Sequence, residues 1–108
     1  MDSTNIILPD ELINIVMQYQ GISWIDDNSK RKLEIMIRNA IDDLDKKSGV
    51  KNNYVESGRA QSLLLTRVMY ERSNALDDFY KNYKNEIVAF INAEKVRKYV
   101  NKQKEITE

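Results

Sequence analysis

Few residues in this chain can interrupt a helix, and that scarcity most constrains its fold. Among its 108 residues there are one proline, Pro9, and three glycines, Gly21, Gly49 and Gly58. Between them the apolar residues recur every three or four positions, which is the period of one helix face, and neither a strand alternation nor a hairpin turn is present. The sequence therefore predicts an all-α fold, a small bundle of about four helices.

The ends of the first two helices can be predicted from local signals. The first begins near Pro9, carries an apolar stripe that extends to Tyr19, and ends at Gly21, whose left-handed conformation would let Ile22 fold back on the last turn. The second is preceded by two capping candidates at positions 26 and 27 and extends to about Lys47, where a basic last turn meets a serine and a glycine. We therefore expect a short helix, a brief linker and a long second helix.

Two apolar residues in this part of the chain need a separate explanation. Trp24, in the linker, is expected to plug the core. Ile35 falls opposite the apolar seam of the second helix, beside Arg38 and Asp42. It is either a single exposed apolar residue, which is common, or a contact with a partner.

The third predicted helix, about Glu56 to Arg72, follows Asn53 at the spacing of a capping box. Its apolar residues, Ala60, Leu63, Leu64, Leu65, Val68 and Met69, spread around most of its circumference. Such a helix is the central helix of the bundle or is shared with a neighbouring subunit. Arg67 and Glu71, four residues apart, are either an exposed intrahelical pair or a partly buried pair that fixes the register of a helix or subunit contact.

The last part of the chain carries two apolar stripes on opposite faces. Asn74 is expected to cap a long fourth helix whose first stripe covers residues 76–91. The second stripe consists of Ala89, Ala93, Val96 and Val100. Because one straight helix packed on its own core does not need both stripes, residues 93–108 are predicted to leave the domain of residues 1–92. They form either a projecting helical arm or a disordered tail.

The composition removes most catalytic and metal-binding chemistry. The chain has no Cys and no His, so thiolate and imidazole groups are absent. Those groups supply most transition-metal sites and most general acid–base catalysis. Paired aspartates occur at Asp26 and Asp27, at Asp42 and Asp43, and at Asp77 and Asp78. Helix starts explain two of the pairs, and a solvated helix face explains the third, so we predict no catalytic residue, no metal, no cofactor and no enzymatic activity.

Charge is balanced over the whole chain but not along it. Seventeen basic residues match seventeen acidic ones, so no net field draws the protein to nucleic acid or to a membrane. Residues 1–50 carry six basic and nine acidic side chains, and the remainder has the opposite excess, which suits contact between copies. With no stretch near ~18 apolar residues and no export leader, we expect a soluble cytosolic product without a membrane partner.

A stretch in and after the third helix resembles a known family. It comprises Leu63-Leu64-Leu65, Arg67, Tyr70-Glu71-Arg72-Ser73-Asn74-Ala75, Phe79 and Tyr83. With the first helix ending in Gly21, and the second headed by Asp26 and Asp27 with Ala40 within it, this stretch resembles the small head-tail connector, or adaptor, proteins of long-tailed bacteriophages and of prophages in low-GC Gram-positive bacteria. The resemblance covers roughly residues 8–91 and rests on apolar, Arg and Asn positions.

The resemblance implies an all-α virion protein at the head-tail junction, made in the bacterial cytoplasm. Copies would form a ring beneath the portal, extend the DNA channel and receive a stopper or tail-completion protein, with DNA contacted at most non-specifically. Such proteins have also been labelled DNA packaging proteins. The residues we expect at interfaces are Ile35, Arg67, Tyr70, Glu71, Arg72, Asn74, Val96 and Val100. Contacts with neighbours would also explain the third helix and the second C-terminal stripe.

The basic C-terminal segment supports an alternative function. Its cations are Lys95, Arg97, Lys98, Lys102 and Lys104, with Tyr99 among them. Such a segment could hold phosphates and stack a base. The alternative to a connector is therefore a small DNA-binding or DNA-packaging accessory protein.

Overall fold

The computed structural model describes the backbone of residues 7–107 and the side chains of residues 7–104. The first six residues and Glu108 lie outside it. Within the described part the chain forms helices and no strand, which confirms the all-α prediction. The helices are α1 (Asp10–Tyr19), α2 (Asp27–Ser48), α3 (Arg59–Arg72), α4 (Leu76–Asn82) and α5 (Lys84–Thr107).

The predicted ends of α1 and the predicted start of α2 are confirmed. Gly21 has a φ of 70°, and the N–H of Ile22 donates to the carbonyl of Met17 at 2.8 Å. This is the left-handed helix ending that glycine favours. At the start of α2 the carboxylate of Asp26 accepts a hydrogen bond from the backbone N–H of Ser29 at 2.8 Å. Local chemistry alone determines these boundaries.

The predicted start of the third helix is wrong. Asn53 accepts hydrogen bonds from the backbone N–H groups of Val55 and Glu56, at 3.0 and 3.4 Å, but only a turn results. Gly58, at φ 157°, has a conformation that a helix cannot include. α3 therefore begins at Arg59 rather than at Glu56.

The sequence predicted that Asn74 caps the next helix, and that prediction is wrong. Asn74 ends α3 instead. Its φ of 55° is left-handed, and its N–H donates to the carbonyl of Glu71 at 3.0 Å. The N–H of Ala75 donates to the carbonyl of Tyr70 at 2.8 Å, which completes the same helix ending that Gly21 provides for α1. Ala75 occupies the capping position of α4 with no side-chain hydrogen bond.

The long fourth helix of the prediction is divided at Tyr83. This residue has φ −111° and ψ 18°, outside helical geometry. Its N–H still donates to Phe79, and its carbonyl accepts from Ile87, both at 2.9 Å, so the hydrogen bonding continues across the break. The ring of Tyr83 stacks on Phe79 at 5.5 Å and meets Tyr70 edge-on at 5.8 Å. Aromatic packing on α3 therefore accompanies the break between α4 and α5.

α3 is the central helix of the fold. Six consecutive residues, 63–68, are buried, and α3 packs against α2, α4 and α5. The buried side chains from the other elements are Leu12, Ile13, Val16, Leu33, Ile37, Ala40, Ile41, Leu44, Tyr54, Phe79, Ile87 and Phe90. The apolar surface that surrounds α3 is thus largely covered within one chain, and a neighbouring subunit is not needed to cover it.

Two residues that we expected in the core are exposed. Trp24 is 79% exposed, so the prediction that it plugs the core is wrong. Ile22 and Ile25, on either side of it, pack against the core instead and fill that space. Tyr19, in the predicted stripe of the first helix, is 51% exposed. Ile35, by contrast, is exposed as predicted.

α5 continues through residue 93 without interruption and ends at Thr107. Its first turns pack on the core through Ile87 and Phe90, whereas Val96 and Val100 are exposed. The described residues extend over 52 × 28 × 25 Å with a radius of gyration of 15.1 Å, against about 13 Å for a compact domain of 100 residues. None of the helices described is both long and apolar enough to cross a membrane.

Candidate interaction surface

A buried polar cluster joins α2, α3 and α4. The Arg67 side chain, only 7% exposed, donates from Nε to the Asp43 carboxylate and to the Tyr80 hydroxyl, both at 3.2 Å. The Tyr80 hydroxyl donates to the same Asp43 oxygen at 2.7 Å. Glu71 lies 3.5 Å from an Arg67 nitrogen. Arg67 is therefore a buried residue whose closest carboxylate partner comes from α2.

The protonation of this cluster follows from its contacts. Burial opposes ionisation of Asp43, but hydrogen bonds from Lys47 and Tyr80 and the charges of Lys47 and Arg67 outweigh it, so the Asp43 pKa lies below its ordinary value. Burial raises the pKa of Glu71, and the Arg67 charge only partly offsets it. Of the two alternatives for Arg67 and Glu71, the partly buried pair is the observed one. Asp43, which was predicted to be solvated, lies closer to Arg67 than Glu71 does.

A second polar network fixes the loop after α2. Gly49 ends the helix in the left-handed conformation, at φ 77°. The Tyr54 hydroxyl then donates to Asp45 at 2.6 Å, and the Asn52 side chain donates to Asp45 at 2.9 Å and to Ser48 at 3.0 Å. Burial and the bond to Asp45 raise the Tyr54 pKa well above its ordinary value. These hydrogen bonds join the loop to the last turns of α2.

These networks are suited to structural support. Burial raises the pKa of Tyr80, and Asp43 is held ionised, so neither has a pKa near neutrality for proton transfer. Asp26 caps α2, and Asp77 and Asp78 lie exposed in the first turn of α4. Among the described residues no three acidic side chains converge as metal ligands.

Four exposed apolar residues lie on one side of α5. Val88, Val96, Tyr99 and Val100 are between 42% and 64% exposed. At about 100° per residue they fall within one third of the helix circumference, opposite Ile87 and Phe90. We call these four residues the outer face of α5. Nothing within the described chain covers it.

A groove opens at the end of the molecule where α1 begins and α2 ends. Its volume is about 680 Å³, and it lies between the start of α1, the last turns of α2 and the loop after them. The apolar lining residues are Ile7, Pro9, Leu12, Ile41, Val50, Tyr54 and Val55, and the charged ones are Asp42, Asp45, Lys46 and Lys51. We call this concavity the end groove. It could not be predicted from the sequence, because its walls come from three separate segments.

The structure divides the predicted interface residues into interior and surface groups. Arg67 is buried within the single chain, in the cluster with Asp43 and Tyr80, and its role at an interface stays a prediction. Tyr70 is half-buried, with its ring 6.0 Å from that of Phe79. The others are the partly buried Glu71 and the exposed Ile35, Arg72, Asn74, Val96 and Val100.

Several surface residues also have intramolecular roles. Arg72 donates to Gln20 of α1, and Asn74 shapes the turn after α3. Val96 and Val100 share the outer face of α5 with Tyr99 and Val88, which the sequence analysis had not predicted as interface residues.

Comparisons of the chain with models of known families, with curated proteins and with solved structures find no match.

Proposed function

We propose that this chain is a structural connector of a bacteriophage or prophage. Copies form a ring beneath the portal at the head-tail junction, extend the DNA channel and receive a stopper or tail-completion protein. The observation that carries the proposal is the outer face of α5, an apolar surface that the described residues leave uncovered. The resemblance of residues 63–83 to connector proteins supports the head-tail junction as the place where this surface is covered.

In this proposal the molecule has two working parts. α1 to α4 and the first turns of α5 form the bundle, with α3 in its centre. Residues 93–107 act as a C-terminal arm that leaves the bundle and contacts a neighbour or the portal. Val96 and Val100 are exposed although α5 continues unbroken past them, and this supports the division.

The ring contacts differ from those that the sequence suggested. A contact through α3 would need its apolar residues at the surface, but residues 63–68 are buried. Among the predicted interface residues, the apolar ones that remain exposed are Ile35 on α2 and Val96 and Val100 on α5. We therefore assign the contacts between copies to α2 and α5.

The proposed connector is tested by mixing the purified chain with its cognate portal and imaging the mixture by electron microscopy. We expect an additional ring of density on the end of the portal that faces the tail. A Val96→Asp, Val100→Asp variant should lose the ring, and Asp78→Asn, exposed in the first turn of α4, should keep it. A chain that stays monomeric and leaves the portal bare would refute the proposal.

One observation favours the second candidate function, DNA binding. Lys95, Lys98 and Lys102 are exposed and fall on one side of α5, spaced as neighbours on a helix. A stripe that contacts about three phosphates would give an affinity falling with a log–log salt slope near −3. We expect a connector to bind duplex DNA weakly and without sequence preference. Nanomolar binding to one sequence, lost in a Lys95→Gln, Lys98→Gln, Lys102→Gln variant, would favour the accessory protein instead.

A further inference from the structure

The end groove and the C-terminal arm lie at the same end of the molecule. Val50 lines the end groove, and it also lines a small recess with Arg97, Lys98, Asn101 and Lys102 of α5. α5 therefore passes the last turn of α2 and continues beyond it. The outer face of α5 and the end groove therefore lie at the same level along the molecule, without contacting each other.

The arm does not present its apolar face to its own groove. The residues next to Val50 are on one side of α5, and Val96 and Val100 are about 160° to 200° away from Lys98 around the helix. Val96 remains 62% exposed and Val100 42% exposed. The orientation of the arm leaves the outer face of α5 directed away from the chain that carries it.

A second copy supplies the matching surface. In a ring every subunit is related to the next by rotation about one axis, so contacting surfaces must lie at equal heights along that axis. The end groove and the outer face of α5 meet this condition when α5 is roughly parallel to the axis. A contact between opposite ends of two molecules, such as one through Trp24, would instead stack copies into a filament.

Charge favours the same pairing. Positions 95–104 carry five basic residues and no acidic one, namely Lys95, Arg97, Lys98, Lys102 and Lys104. Asp10 and Glu11, both exposed in the first turn of α1, flank the groove residues Pro9 and Leu12. Of the two lysines in the groove lining, Lys46 is paired with Asp42 at 2.9 Å. A basic amphipathic helix thus meets an apolar groove with an acidic rim.

We infer that the outer face of α5, through Val96 and Val100, docks into the end groove of the next copy and is the contact that closes the proposed ring. The contact is heterologous, because one copy contributes the arm and the other the groove. The inference uses the proposed function for the ring geometry, while the pairing of the two surfaces rests on the structure.

The absence of cysteine makes a disulfide test direct. Val100→Cys places a thiol on the arm, and Val55→Cys places one in the groove. On mild oxidation of an equimolar mixture at high protein concentration, without portal, we expect a disulfide between the two variants. A Val88→Cys variant, on the same outer face but more than two turns nearer the bundle, should link to Val55→Cys several times more slowly.

A chain that carries both V55C and V100C distinguishes the possible arrangements. We expect a ladder of covalent oligomers beyond the dimer, whereas the mixture of single variants stops at two chains. A product limited to linked dimers would show that two copies each place the arm in the groove of the other. A disulfide within one monomer would show that the arm lies in its own groove. Faster linkage of V100C to itself would show pairing of two α5 helices, and no linkage would exclude the contact; each of these results overturns the inference. Because portal is absent, failure here is separate from failure of portal binding.

Discussion

Asp43 is the residue whose role changed most between sequence and structure. On sequence it belonged to an acidic pair on a solvated helix face. In the fold it lies beside the apolar seam of α2, within reach of Arg67 and Tyr80, which come from 24 and 37 positions later in the chain. No local pattern links those positions, so the cluster could not be predicted, and the spacing of Arg67 and Glu71 left a partly buried pair as one of two alternatives.

Replacing Asp43 with Asn should destabilise the fold by about 2 to 3 kcal/mol at pH 7, because Arg67 would lose its ionised hydrogen-bond acceptor in a buried position. Urea denaturation followed by circular dichroism measures the change. Asp42→Asn is the matched control, since its partner Lys46 is mostly exposed, and it should change stability by less than about 0.5 kcal/mol. Equal losses in the two variants would contradict the role given to Asp43.

The same substitution has a pH signature. The Asp43 pKa is lowered in the folded state, so its stabilisation is fully present above the unfolded pKa and is lost as pH falls through the folded pKa. Glu71 has the opposite sign, because its raised pKa favours the folded state most at acid pH. The stability difference between wild type and D43N should therefore shrink below about pH 4. A difference that stays constant from pH 7 to pH 3 would show that Asp43 acts through packing alone.

Asn74 gives a second prediction at this scale, because its backbone is left-handed. Asn74→Ala should cost about 1 kcal/mol, since a Cβ without a local hydrogen-bonding group is disfavoured there. Asn74→Gly should be neutral or slightly stabilising. Melting temperatures of the two variants provide the comparison. If Ala were tolerated as well as Gly, the turn would not depend on this conformation.

Among the elements, α1 and α2 were predictable because glycines and a capping aspartate mark their ends locally. The start of α3 and the division between α4 and α5 were not. Gly58 overrides the nearby Asn53 signal, and the break at Tyr83 involves aromatic packing on α3 that only the folded chain creates. The central position of α3 was one of two alternatives, and burial of residues 63–68 decides between them.

The C-terminal arm should be separable from the stability of the bundle. Most of the side chains described in residues 93–104 are exposed. Deleting residues 93–108 should therefore lower the melting temperature by no more than a few degrees, and the remaining chain should stay helical. Assembly, measured by sedimentation in the presence of portal, should be weakened. A truncated chain that assembles normally would make the arm dispensable.

At the scale of the whole molecule, the surfaces are distributed unevenly between its two ends. The turn between α1 and α2 exposes Tyr19 and Trp24, while the opposite end has the groove and the arm. Apolar periodicity predicted that the second stripe would leave the core, because a stripe is a property of one helix. It could not predict the groove, which exists only when three segments meet.

The central position of α3 also determines how the molecule exchanges its amide hydrogens with solvent. Amides of residues 63–68 should exchange only when the whole domain unfolds, whereas those of residues 93–104 exchange through local fraying. A partner that binds the arm should therefore slow deuterium uptake in α5 and in the loop around Val55, and leave the first minutes of uptake in α3 unchanged. Mass spectrometry of peptic fragments would measure this slower deuterium uptake in α5 and the loop. The unchanged uptake in α3 would serve as the internal reference.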